Sequence, residues 1–228
     1  MYRYETHLHT AESSACATAS GEKQAMFYKS RGYQGIFVTD HFLNGSTTVP
    51  KNLSWQERIE LFCRGYENAK KCGDKIGLDV FLGWEYPYYG TDLLTYGLDK
   101  EWLLKHPLLL EMDVTSYCEF IRAEGGLVVH AHPFREADYI PMIHLLPRQY
   151  DGCEITNAWN SDFQNEMAAI YAEKYGLHPF AGSDNHRCDQ KRLCGIETAE
   201  RIADPAHFVR LVHEGEYAVF DETDGERP

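Results

Sequence analysis

The chain carries the stretch THLHT at residues 6–10, directly after YRYE at residues 2–5. The aromatic content and alternation of YRYE predict a short β-strand. Because residues two apart on a strand project from the same face, His7 and His9 are expected to aim their imidazoles at one point. Two converging imidazoles can bind a divalent cation, although two unrelated histidines on a half-buried strand would give the same pattern.

Length and composition indicate one globular domain. At 228 residues, barrels and other α/β folds often stay undivided, and we expect a single domain over residues 1–220 with a loose tail over 221–228. The 35 acidic residues outnumber the 22 basic ones, and the net charge of −13 makes nucleic acid an unfavourable partner. With no charged-then-apolar leader and no long apolar run, we expect a cytoplasmic protein without membrane contact.

The seven cysteines are odd in number, scattered along the chain and never spaced CxxC. They predict reduced thiols instead of a disulfide framework or a structural zinc cluster. None of them has a recognisable active-site context, and no GxSxG motif is present, so a Ser or Cys nucleophile is not expected.

Short apolar runs alternate with amphipathic segments along the chain, which is typical of a parallel sheet with helices outside. The predicted strands are residues 2–5, 35–39, 78–84, 93–98, 127–129, 151–155 and 179–182. Predicted helices begin near residues 22, 55, 114, 163 and 205, each marked by apolar residues at helical spacing or by a capping residue.

Metal-binding residue types lie at the ends of five predicted strands. They are His7 and His9, Asp40 and His41, Glu85, His132, and Asp184 and His186. In a (β/α) barrel the carboxyl ends of the strands meet on one face, where active sites are built. The distribution therefore predicts a polynuclear metal centre.

Five motifs follow one another with fitting gaps: HLH at 7–9, TDH at 39–41, GWE at 83–85, AHP at 131–133 and GSDNH at 182–186. This ordered set resembles the polymerase-and-histidinol-phosphatase (PHP) family. The resemblance implies a distorted seven-stranded (β/α) TIM-like barrel. It also implies a centre of three divalent ions (Zn, Mn or Fe) that hydrolyses phosphate esters.

The resemblance further implies how the ligands are shared. The first ion would be held by His7, His9, Glu85 and Asp184. Glu85 would bridge to a second ion, which His132 also binds. His41 and His186 would hold the third ion.

Two positions depart from the family's commoner pattern. The family often has an Asp or His several residues after HxH, where this chain has Ser14 and Ala15; Glu12 is the nearest substitute, or else a solvated loop carboxylate. Asp92 stands where the family often places a His, with His106 as a rival and a solvated turn as the alternative. A carboxylate there favours Mn²⁺, Fe or Mg²⁺ relative to an all-imidazole zinc site.

Other polar residues also lie near the strand ends, and two of them, Asp40 and Arg135, allow two interpretations each. Asp40 either supports catalysis by orienting an imidazole or caps a turn. Arg135 either grips a phosphate oxygen or is an exposed arginine at a helix start. His130 is expected to pack in the interior, and Glu154 and Asn157 to line the pocket.

The predicted function is a hydrolase that cleaves a small-molecule phosphate ester through a metal-activated hydroxide. Two alternatives stay open. One is an amidohydrolase-type metal hydrolase, which also begins with HxH, and the other is a non-catalytic metal-binding PHP module. Aromatic residues of a predicted turn at 86–89 would either stack on a substrate ring or cover the barrel mouth.

Overall fold

The computed structural model describes residues 1–223, and they form ten strands and seven α-helices. The strands are β1 Tyr2–Glu5, β2 Gly35–Val38, β3 Asp79–Leu82, β4 Trp84–Tyr88, β5 Thr91–Tyr96, β6 Leu127–Ala131, β7 Gly152–Asn157, β8 His178–Gly182, β9 Arg192–Thr198 and β10 Tyr217–Thr223. The helices are α1 Gly21–Ser30, α2 Trp55–Phe62, α3 Arg64–Ile76, α4 Lys100–Lys105, α5 Val114–Ala123, α6 Asp162–Tyr175 and α7 Pro205–Glu214.

We expected a loose tail over residues 221–228, but its first three residues belong to a strand, because β10 pairs with β9 as far as Thr223. The remainder of that expected tail, residues 224–228, lies outside the described residues. Several helix ends follow the sequence signals. Ser54 and Glu57 form a capping box at the start of α2, Asp113 caps α5, and Gly176 ends α6 in the left-handed conformation.

The strands form two five-stranded sheets, in the orders β10-β9-β1-β2-β3 and β4-β5-β6-β7-β8. The runs β1-β2-β3 and β6-β7-β8 are parallel, which confirms a mixed α/β fold. The closed seven-stranded barrel is not present within residues 1–223. Antiparallel β9 and β10 extend the first sheet, and the β4–β5 hairpin extends the second.

The two sheets meet beyond the carboxyl ends of their parallel strands. Leu8, after β1, forms a parallel bridge with Asn185, after β8. On the other side, His41, after β2, forms a parallel bridge with Glu85 in β4. Glu85 thus lies within a strand that begins after Gly83, and not at the end of one continuous strand as expected. These bridges bring four of the five sequence motifs together, and the fifth, AHP at 131–133, follows β6 in the sheet that also contains β8.

Aromatic side chains fill the core behind this end. Tyr4, Phe37, Tyr96, Phe180 and Phe208 are fully buried in one cluster that draws on both sheets. The Tyr96 hydroxyl donates to the carbonyl of Thr6 (2.8 Å) and so ties the core to the segment before His7. Among the described residues, no helix is long and apolar enough to cross a membrane.

Candidate metal centre

His7 and His9 present their Nε2 atoms to each other at 3.2 Å in a fully buried position. His7 donates its Nδ1–H to Glu154 Oε1 (2.9 Å), because a carboxylate can only accept. Ser14 donates its hydroxyl to Asp40 (2.6 Å) and therefore accepts from Nδ1 of His9 (3.2 Å). Both imidazoles are thereby held with the Nε2 lone pair facing the centre, which is the tautomer that binds a metal.

Two buried carboxylates face these imidazoles. Asp184 Oδ1 lies 3.1 Å from His9 Nε2 and 3.5 Å from His7 Nε2. Glu85 Oε1 lies 3.3 Å from His7 Nε2 and 3.1 Å from His132 Nε2. The other oxygen of Glu85, Oε2, lies 2.7 Å from His41 Nδ1. Glu85 is therefore the carboxylate that contacts the most imidazoles in the cluster.

Three groups of side chains each bring their ligand atoms within 4.8 Å of one another. They are His7 with His9 and Asp184, His7 with Glu85 and His132, and His9 with His41 and His186. All seven are residues that the five motifs predicted as ligands. His186 donates its Nδ1–H to the backbone carbonyl of Asp184 (2.7 Å), so its Nε2 also keeps a lone pair.

The charges of the cluster suit divalent cations. Burial lowers the pKa of His7, but Asp184, Glu154 and Glu85 raise it well above its ordinary value. Burial raises the pKa of Glu85, yet His41 and His7 bring it well below its usual range. Without metal, protons on imidazoles thus balance the carboxylates. Because the donors are imidazole nitrogens and carboxylate oxygens, Zn²⁺, Mn²⁺ or Fe fit the same positions and would release those protons.

Two of the predicted ligand residues have unusual backbone conformations. His132 has φ of +30° and Asp184 has φ of +54°, although both carry a Cβ. Residues in the left-handed region cost of order 1–3 kcal/mol each, and such strain is concentrated at functional sites. The strain turns both side chains inward directly after their strands.

Glu12 does not join the cluster, which corrects the ligand prediction. Its carboxylate accepts from the N–H of Gly21 at the start of α1 (3.0 Å) and from Asn68 Nδ2 (2.9 Å). The positive end of the helix dipole attracts the carboxylate there.

Asp40 does not bond an imidazole directly, which corrects the role predicted for it. Its carboxylate accepts from the N–H and the hydroxyl of Thr10 and from the hydroxyl of Ser14, all at 2.6 Å. Burial raises the pKa of Asp40 to about 6, although these hydrogen bonds act in the opposite direction. Asp40 reaches His9 only through Ser14 and holds the loop over residues 10–14 in place.

Asp92 lies beside the cluster, with Oδ2 3.8 Å from His132 Nε2. Burial and then the neighbouring Glu85 raise the pKa of Asp92 to about 6. Its rival His106 lies elsewhere, since it hydrogen-bonds the carbonyl of Trp102 and contacts Phe120.

Arg135 contacts a predicted ligand. Its Nη2 lies 2.8 Å from Asp184 Oδ2 and 2.8 Å from Asn157 Oδ1, and its Nε donates to Asn160 Oδ1 (3.2 Å). Asp184 thus keeps Oδ1 towards the histidines and Oδ2 on Arg135. The Arg135 side chain is 18% exposed and lines the cavity, so it also faces any anion that enters.

The role of Glu154 was underestimated from the sequence. It is fully buried, and besides His7 it accepts from the N–H of His132 and from Asn157 Nδ2, both at 2.9 Å. It therefore positions two predicted ligands from behind instead of lining the pocket. His130 packs in the interior as expected, fully buried and bonded to the Thr91 hydroxyl (2.6 Å).

Cys16 was missed. Burial raises the pKa of its thiol, but hydrogen bonds with His186 and His41 outweigh this effect and bring the pKa to about 6. The residue lies on the loop that follows HxH and lines the cavity beside both histidines. No spacing rule singles out this cysteine, because its partners follow two other strands.

A cavity of about 410 Å³ opens over the cluster. Its lining includes His41, Glu85, Asp92, His132, Arg135, Asp184 and His186. A second cavity of about 540 Å³ shares Arg135, Asp184 and His186 with the first and extends towards Trp159 and Asn160. The predicted ligands thus lie at the bottom of an open, extended depression.

Comparison with known proteins gives one family-model match over part of the chain and several solved structures of similar fold. Residues 162–217 match the family model of the PHP-associated region. A two-domain protein from Bacteroides vulgatus ATCC 8482, named for a predicted PHP-like metal-dependent phosphoesterase, has a TM-score of 0.69 at 13% identity. The similarity covers 96% of this chain and 64% of that longer chain. A search of curated proteins gives no match.

Two further solved structures share the fold. A candidate metal-dependent phosphoesterase from Bifidobacterium adolescentis ATCC 15703 has a TM-score of 0.59 at 16% identity, covering 92% of this chain and 95% of that one. An amidohydrolase from Chromobacterium violaceum, with bound sulfate and no metal, has a TM-score of 0.55 at 13% identity. The similarity covers 81% of this chain and 88% of that one. The predicted resemblance to the PHP family is confirmed.

Proposed function

We propose that this PHP-family chain is a metal-dependent phosphoesterase that hydrolyses a small-molecule phosphate ester. The observation that supports the proposal most directly is the convergence of seven predicted ligand residues, of which five line one cavity and the other two, His7 and His9, are buried behind it. In the proposed site His7, His9, Glu85, His132, Asp184, His41 and His186 hold up to three ions of Zn, Mn or Fe, and Asp92 is an additional candidate ligand. Such ions, when bound, acidify water and neutralise charge on phosphate oxygens.

The protein's own groups have distinct tasks in this proposal. Glu154 and Ser14 keep the imidazoles of His7 and His9 in the tautomer with the Nε2 lone pair towards the centre. Arg135 orients Asp184, and its positive charge attracts a phosphate oxygen at the cavity wall. Burial excludes bulk water from the innermost ligands and strengthens the attraction between an anionic ester and the cationic centre.

The test is metal analysis combined with a panel of phosphate esters. We expect the protein to bind divalent metal and to hydrolyse at least one ester. We also expect His9→Ala and Asp184→Ala to lose metal and turnover while staying folded, whereas His213→Ala, an exposed histidine on α7, keeps both. Full activity of either ligand variant would contradict the assigned centre.

The fold likeness to the Chromobacterium violaceum amidohydrolase makes amide or lactone hydrolysis the second candidate function. The same panel therefore includes simple amides and lactones. Turnover of these compounds, without turnover of any phosphate ester, would favour the amidohydrolase reading. A metal-loaded protein that hydrolyses neither class would favour a non-catalytic metal-binding module.

A further inference from the structure

The second cavity has an aromatic wall that is fixed to the metal centre. Trp159 donates its Nε1–H to the backbone carbonyl of Asp184 (2.9 Å), and its own N–H donates to Asn157 Oδ1 (3.0 Å). The indole is thus held at its polar edge, while the residue remains 52% exposed. A large apolar surface that is both exposed and held rigidly is a frequent feature of binding sites.

Asn160, one of the residues that line this cavity, carries a hydrogen-bond donor without a partner among the described residues. Its Oδ1 accepts from Arg135 Nε (3.2 Å), and this bond decides which end of the amide is oxygen, because the guanidinium can only donate. The opposite atom, Nδ2, is buried and has no hydrogen-bond partner within residues 1–223, and the residue is 6% exposed. A buried donor without a partner is costly, and a bound acceptor removes that cost.

Tyr139 lies where the two cavities join, since it lines both of them. It is 70% exposed. Arg187, also on the second cavity, adds positive charge next to the aromatic wall. The second cavity therefore offers space beside the candidate metal centre, with Tyr139 and Trp159 on its lining.

We propose that the second cavity binds the leaving group of the ester, and that this group is a planar ring carrying a hydrogen-bond acceptor, such as a nucleoside or a substituted aryl alcohol. The ring stacks on Trp159, and its acceptor takes the Nδ2–H of Asn160. This proposal rests on the proposed phosphoesterase function for its catalytic test, but binding of the ring can be measured without turnover.

The catalytic test compares three phosphate monoesters: a nucleoside 5′-monophosphate, p-nitrophenyl phosphate and glycerol 2-phosphate. In Trp159→Leu we expect kcat/KM for the two ring-bearing esters to fall about 5- to 100-fold, the range that loss of one stacked ring produces. For glycerol phosphate we expect a change of less than about 2-fold, because it has no ring to stack. Tyr175→Leu removes an aromatic residue of comparable exposure (61% against 52% for Trp159) outside both cavities and is the matched control.

Asn160→Asp tests the hydrogen bond with little change in shape. An aspartate replaces the Nδ2 donor by an acceptor, so kcat/KM should fall for p-nitrophenyl phosphate more than for phenyl phosphate, which has no acceptor on its ring. Trp159→Phe, which keeps a ring but loses the anchoring Nε1–H, should recover part of the activity that Trp159→Leu loses. Equal loss for ring-bearing and ring-free esters in all three variants would overturn the proposal.

A binding measurement separates this proposal from the proposed function. Calorimetric titration of the protein, with its metal content unchanged, with the free nucleoside should give heat of binding that disappears in Trp159→Leu and persists in Tyr175→Leu. Ring binding without hydrolysis of any phosphate ester would leave the cavity assignment standing and refute the phosphoesterase. Hydrolysis of ring-bearing esters that is insensitive to Trp159→Leu and to Asn160→Asp would support the phosphoesterase and refute the cavity assignment.

Discussion

Replacing Glu154 by glutamine should weaken metal binding although Glu154 is not a predicted ligand. Oε1 of Glu154 accepts from His7 Nδ1, while Oε2 accepts from the His132 N–H and from Asn157 Nδ2. A glutamine side chain has only one oxygen, so it cannot accept both from His7 Nδ1 and from the two donors at the position of Oε2. If the oxygen keeps the two donors at Oε2, the amide NH₂ faces His7 and donates to Nδ1.

That arrangement reverses the tautomer of His7. With Nδ1 accepting, the proton moves to Nε2, which is the atom that faces His9 and the centre. A metal ion can then bind only after the imidazole returns to the disfavoured tautomer. Loss of such a supporting hydrogen bond lowers metal affinity about 10- to 100-fold, which corresponds to about 1.4–2.7 kcal/mol.

The assay is competition for Zn²⁺ or Mn²⁺ against a chelator of known affinity, with ¹⁵N shifts of the histidine rings as a second readout. The variant should remain folded by circular dichroism, bind metal more weakly than the parent and, at a pH high enough to leave the ring neutral, show His7 protonated at Nε2. Glu173→Gln, at an exposed position on α6, controls for the loss of one negative charge. Metal affinity within about 2-fold of the parent, with His7 still protonated at Nδ1, would refute the argument.

Three further predictions follow from neighbouring contacts. A methyl group at Gly182 would clash with the Cβ of His7 and lie 2.7 Å from Glu154 Oε1, so Gly182→Ala should lower both metal content and the thermal midpoint. Cys16, with its pKa near 6, should react with iodoacetamide fastest of the seven thiols in metal-free protein at pH 7, and its rate should fall as the pH drops below 6. Peptide mass spectrometry measures the labelling of each cysteine, and preferential labelling of another cysteine would contradict this prediction. Asp40→Asn leaves a buried donor of the Thr10 loop without an acceptor and should lower the free energy of unfolding by about 1–3 kcal/mol in urea titrations, whereas unchanged stability would assign the loop geometry to other contacts.

The side chains that converge at the candidate centre were predictable because each lies within a short motif, and all of them except Glu85 follow the end of a strand. His7 and His9, two residues apart, present their Nε2 atoms to each other as strand alternation predicts, whereas the left-handed backbone at Asp184 breaks that alternation before His186. The parallel order of the strands then brings the separate motifs together. Burial of both sheet faces makes these strands visible as apolar runs, of which GIFV in β2 is an example.

The strands that were missed depend on partners far away in the sequence. β9 contains Gly195 at its centre, with φ of +154°, and a Cβ there would approach the carbonyl oxygen of Tyr4. A glycine within a short strand weakens the sequence signal for that strand. Pairing with β1 and β10 stabilises it, and this information lies outside the window that a local pattern reads.

In the loop after HxH, distant partners also decide which polar side chains face the candidate metal centre, and the local sequence does not show them. The sequence drew attention to Glu12 because a carboxylate is a good metal ligand, but the start of α1 and Asn68 compete for it. Ser14, which looked like a missing ligand, proves to connect His9 to Asp40. Which polar side chain of a loop faces the centre depends on the capping and packing partners that the folded chain supplies.

The positions of the aromatic residues near the site also depend on their partners in the folded chain, and they bear on which substrate can bind. Residues 86–89 were expected to form an aromatic turn at the mouth, but Tyr86 belongs to β4, where strand alternation turns it inward to stack on Tyr117 at 4.1 Å. Trp159 shows no comparable local pattern, and hydrogen bonds to Asn157 and Asp184 fix it at the second cavity. Because those bonds connect the loops after β7 and β8, the surface that receives a leaving group is built by the same two strand ends that place Asp184. A change in ligand geometry at Asp184 should therefore alter ring selectivity as well as metal affinity, which couples two properties that the sequence presents separately.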